Sequence, residues 1–166
     1  MSMEVSVLSD RRLATTEEWQ RAIDAEGFSL RLDPEVVLGD ASGFFPVQLG
    51  DKLTGFECYH DDAAELIAEY SDFDFGRPWT CALGLRMRGD MSVVCAAFMA
   101  ATAYARATGG IVWDGESGDV LSPDSAVEVT RELEQAVRNE GGAGRVAKSG
   151  LSSHNPADVL ESRDGP

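Results

Sequence analysis

The order of patterned segments predicts an α+β fold: a mainly antiparallel sheet with helices on one face, ferredoxin-like or a doubled ferredoxin-like arrangement. Three observations carry this prediction. Short runs with the period-two alternation of half-buried strands recur along the chain, several separated by hairpin-sized breaks. Capped amphipathic helices fall between them. An Ala-rich run after Asp90 has no charged side chain until Arg106, so the helix it forms is apolar on nearly every face and belongs in the core.

In chain order, Val5, Val7 and Leu8 suggest a first strand, ended by Asp10-Arg11-Arg12. Thr15 with Glu18 three residues on is a capping box, and Trp19, Ala22 and Ile23 form an apolar stripe before Gly27, so a helix is expected over 15–26. Phe28, Leu30 and Leu32 alternate with polar residues up to Pro34, a second strand. Residues 44–49 and 53–59 flank Gly50-Asp51-Lys52 as a hairpin, with Pro46 placing the first of the two at an edge or bulge. Asp61 or Asp62 can cap a short helix, AAELIAEY. After a loop, SDFDFGRP, the run 79–87 makes the strand that leads into the buried helix. Gly109 and Gly110 end that helix, and two short strands joined by GESG follow. Ser122-Pro123 then opens a last helix, expected to stop at Gly141-Gly142. Residues 1–141 read as one domain and 142–166 as a flexible tail with room for a short helix at 156–161.

Charge is the least ordinary property. The 166 residues carry a formal charge of −15, all of it within residues 1–140, which hold 26 acidic and 11 basic side chains. Such a surface repels nucleic acid and anionic membranes and attracts a basic protein partner. Arg in place of Lys, with abundant Ala and Gly, fits a bacterial, GC-rich origin. The N-terminus lacks the charged start and apolar block of a secretory signal, and the apolar run at 91–108 is short and rich in Ser, Thr and Ala for a membrane span. The expectation is a cytoplasmic protein whose three cysteines, without CxxC spacing, are reduced thiols.

Two constellations could carry chemistry. Cys58 and His60 share one face of a strand, so with Asp72 they could hold a metal, or act as nucleophile and base, in a small-ligand pocket or enzyme. Structural zinc needs a second ligand pair, absent here, and acidic neighbours oppose thiolate formation. No phosphate loop or nucleophile elbow occurs, and no cofactor is implied. Trp19, Trp79 and Trp113 sit in periodic apolar segments and read as core. The other constellation is a surface: Glu57, Asp61, Asp62, Asp72, Phe73, Asp74 and Phe75 interleave acids with aromatic rings, a composition suited to docking a protein partner or a second copy of the chain as a homodimer.

The run ATAYARATGGIVWDGESGDVLSP, residues 101–123, resembles the helix, Gly-Gly, strand, Asp, turn and strand passage of small bacterial cytosolic proteins, among them immunity proteins of polymorphic-toxin and contact-dependent systems. Its features are structural, so no functional residue is carried over. The resemblance implies a small, acidic, non-enzymatic protein that neutralises a toxin by binding it.

Overall fold

The computed structural model describes residues 2–153, with the side chains of residues 2–140. The elements follow the predicted order: β1 (Met3–Ser9), α1 (Thr16–Ala25), β2 (Leu30–Leu32), β3 (Ser42–Leu49), β4 (Lys52–Asp62), α2 (Ala63–Glu69), β5 (Cys81–Met87), α3 (Met91–Thr108), β6 (Ile111–Asp114), β7 (Val120–Leu121) and α4 (Pro123–Ser153), with a 3-10 turn at Leu38–Asp40. The strands form one sheet in the order β2-β3-β4-β5-β1-β6-β7. Every neighbouring pair is antiparallel. β1 and β4 flank β5, and β5 and β6 flank β1, the interleaving of a single ferredoxin-like unit. The other strands extend its edges and do not build a second copy.

Alternation along the strands gives the sheet two faces. Val5 and Val7 of β1 stand in register with Leu85 and Leu83 of β5, and Val7 also with Val112 of β6. This inner face is covered by α1, α3 and α4 in the main core. By length and hydropathy α3 could cross a bilayer, yet 78% of it is buried inside the fold. Its small side chains admit close neighbours: the Trp19 indole donates to the Ala100 carbonyl at 2.9 Å, and Trp19 packs edge-on against Tyr104 and Phe45. Such aromatic pairs each add about 0.5–1.5 kcal/mol beyond the area they bury. Thr102 and Thr130, both fully buried, join α3 to α4 through their hydroxyls at 3.0 Å.

Local signals set the helix ends. The Thr15 hydroxyl accepts the Glu18 amide at 3.0 Å, and Glu18 reaches back to the Ala14 amide, one residue beyond the usual box partner. Asp62 caps α2 and Asp90 caps α3. Gly109 ends α3 in the left-handed conformation, φ 73°. Gly110 serves closeness instead: a Cβ there would lie 2.2 Å from the Leu8 carbonyl oxygen of β1.

Three expectations need correction. Only α1, α3 and α4 share a face; α2 lies on the opposite one, where Ala63 and Leu66 join a second core with Leu8, Ala82 and Trp113. β3 is interior, and its proline is tolerated because Pro46 lies just past the end of β2, its carbonyl accepting the Asp33 amide. α4 passes through Gly141-Gly142 to Ser153, since glycine weakens a helix by about 1 kcal/mol per residue without forbidding it. The expected helix at 156–161 lies outside the described residues.

Gly110→Ala should cost about 3 kcal/mol through its backbone clash, and Gly109→Ala about 1 kcal/mol through its positive φ. Equal losses in urea unfolding would contradict this account of the turn. The Asp90 carboxyl is held at about 2 by the Lys52 ammonium and then by the Ser92 hydroxyl. An unfolded aspartate titrates near ~3.9, so this contribution is present above that pH and lost as pH falls towards 2. Because the pair is exposed, it is worth under about 1 kcal/mol. The stability gap between wild type and Asp90→Asn should therefore close on acidification; a gap that widened would refute it.

Candidate functional site

The outer face of the sheet is only half covered. Strand parity and register place three rows there: Glu57, Arg86 and Glu4; Tyr59, Gly84 and Ser6; Asp61, Ala82 and Leu8. α2 begins directly after β4 and folds back over this face. With Phe75, Trp79 and Trp113 it seals the Ala82 and Leu8 end. The other end stays open as a cleft of about 270 Å³ between α2 and the strands, lined among others by Glu4, Asp61, Glu65, Glu69, Tyr70 and Arg86.

The charge here is strongly unbalanced. Arg86 is the one cation among the lining residues, and Asp62 adds a fifth carboxylate that also caps α2. Arg86 lies 3.6 Å from Glu4 and over the Tyr59 ring. The Asp61 carboxyl is pushed above its ordinary pKa, chiefly by burial and against the pull of Arg86. Beside the cleft, Glu57 lines a smaller hollow of about 190 Å³ with Phe44, Gly55, Arg86 and Arg88. Phe44 is exposed and its ring lies across Gly55, where any Cβ would meet it at 2.2 Å.

The acidic surface expected from the sequence is thus assembled in part. Asp61 and Asp62 reach the cleft and Glu57 its margin. Asp72 is exposed on the following loop. Phe73 is 39% exposed but leans on Trp113, with ring centroids 5.8 Å apart. Asp74 holds its own loop, accepting the Gly76 amide at 2.8 Å. Phe75 is corrected outright: it is 4% exposed, edge-on to Trp113, because the loop must seal the second core. Glu4, Glu65, Glu69, Tyr70 and Arg86 were missed. Only Glu65 and Glu69 carried a sequence signal, the i,i+4 spacing that stacks two acids on one side of a helix.

The other constellation does not come together. Cys58 and His60 do share a face of β4, but it is the inner one, and Cys58 is 0% exposed beneath the helices. Burial pushes its thiol up to about 12, so it stays protonated. His60 bonds the Leu38 carbonyl through Nε2 at 2.9 Å. Asp72 follows Tyr70, which packs on Trp113 on the outer side of the sheet. Among the described residues no three His, Cys, Asp or Glu side chains are grouped to hold a metal ion.

Iodoacetamide at about pH 8 should modify half-buried Cys81 in the native protein and spare Cys58 and Cys95, whose thiols burial raises to about 12 and about 11. Peptide mass spectrometry showing Cys58 alkylated first would contradict the burial argument.

No protein-family model, curated protein or solved structure matches the chain, so no relative assigns a role to any of these residues.

Proposed function

We propose that the chain binds a basic protein partner through the outer face of its sheet, as a toxin-neutralising immunity protein that catalyses no reaction itself. The observation that carries this reading is the open cleft in which five carboxylates face a single arginine. Like charges gathered on one surface cost stability, and a cationic partner turns that cost into attraction. The overall charge of −15 steers such a partner from a distance. Tyr70 and Phe73, both partly exposed at the same end of the molecule, supply apolar area at the margin. A second copy of the chain is a poor occupant, because a two-fold axis through this face would oppose acid to acid. The toxin-neutralising role follows from the resemblance over residues 101–123, and the acidic face is what such a protein would use.

Co-purification with the product of the neighbouring gene tests the reading. A complex should form whose affinity falls at least about tenfold between about 50 and about 500 mM salt. The double variant Glu65→Lys, Glu69→Lys should abolish it while the protein stays folded and its thermal unfolding temperature does not fall. A complex indifferent to salt and to those substitutions, or none at all, would count against it.

A further inference from the structure

β2 is the outermost strand at one end of the sheet, so one row of its backbone groups faces no other strand. Its bonds to β3 show which row that is. The Gly50 amide donates to the Ser29 carbonyl and the Asp33 amide to the Pro46 carbonyl, each at 3.1 Å, so by alternation Ser29, Arg31 and Asp33 turn their backbone groups towards β3. Leu30 and Leu32 turn theirs outward. One side chain meets two of those four outward groups: Gln20 of α1 donates from Nε2 to the Leu30 carbonyl at 2.9 Å and accepts the Leu32 amide on Oε1 at 2.7 Å. A residue of an added parallel strand would make the same pair of bonds. Nε2 also donates to Asp24 Oδ1, one helical turn on, at 3.0 Å, which holds the carboxamide in this pose. Leu30 and Leu32 are 1% and 5% exposed, their side chains in the core and the Gln20 amide against their outward backbone.

Hollows of about 270 Å³ and about 240 Å³ lie along β2, both walled by Arg31 and Gln48, so this end of the sheet has room for a visiting chain. A second copy is the visitor always at hand. An antiparallel pair of β2 strands uses all four outward groups of each copy only when Leu30 stands opposite Leu32 of the other, and that register sets Arg31 opposite Arg31 on the exposed face. Like charges directly opposite each other work against pairing. We infer that Gln20 is an edge lock: its carboxamide occupies the pairing groups of β2 and, together with Arg31, keeps this end of the sheet from adding a strand of a second copy. The lock acts at the rim of the sheet and not on its acidic face, so it holds whether or not that face takes a basic partner.

The test combines amide hydrogen exchange by nitrogen-15 NMR with light scattering over a range of concentrations, on the full chain. In dilute Gln20→Ala the Leu32 amide should exchange at least about tenfold faster than in wild type, the loss of one bond to a half-buried donor. The double variant Gln20→Ala, Arg31→Val should double its mass as concentration rises, with the Leu30 and Leu32 amides slowing again as the strands pair. Arg31→Val alone should keep the wild-type mass, because the carboxamide still covers the edge. If Gln20→Ala does not fold, Gln20→Glu takes its place in both variants: it keeps the length of the side chain but sets an oxygen against the Leu30 carbonyl. Unchanged Leu32 exchange, a double variant that stays at the wild-type mass, or one that associates while Leu30 and Leu32 still exchange fast would overturn the inference. So would Arg31→Val associating as strongly as the double variant, or wild type whose Leu30 and Leu32 amides slow with concentration.

Discussion

The architecture depends on the need to bury α3 on every side. Its run of Ala, Val, Phe and Met has no polar stripe, so it is stable only when the sheet covers one flank and α1 and α4 cover the rest. Small side chains bring those neighbours close, and large ones from other elements fill what remains: Trp19 reaches the Ala100 carbonyl, and the Tyr104 hydroxyl accepts the Leu13 amide. The abrupt turn at Gly109-Gly110 belongs to the same constraint. It delivers β6 directly against β1, so the chain that leaves the core helix at once closes the edge of the ferredoxin-like unit.

Because the inner face is consumed by this core, the outer face is what remains for other uses. α2 and the aromatic loop seal only the end where β1 and β5 present Leu8 and Ala82. At the open end β1, β5 and β4 present Glu4, Arg86 and Glu57, and α2 adds Glu65 and Glu69. A fold selected for stability alone would balance these acids. One arginine does so only partly, and local unfavourable choices of this kind are expected where a protein acts on something else.

The sequence by itself determined a good deal. The element order, the Thr15 cap, the all-apolar core helix, the Gly stop and the α+β class are local or periodic properties, readable because 3.6- and 2-residue periods and capping chemistry act over a few positions. Strand parity also placed Cys58 and His60 together correctly, but could not say that their side was the buried one.

Only the tertiary structure decided the rest, and the reason is sequence distance. Glu4, Asp61 and Gly84 become neighbours through the register of three strands from separate parts of the chain, which no short-range pattern encodes. Phe73 and Phe75 looked alike in sequence, yet Phe75 is drawn under the loop because Trp113, nearly forty positions later, needs cover. Which face α2 would take, and hence where the acids would gather, was settled by what the core helix had already occupied.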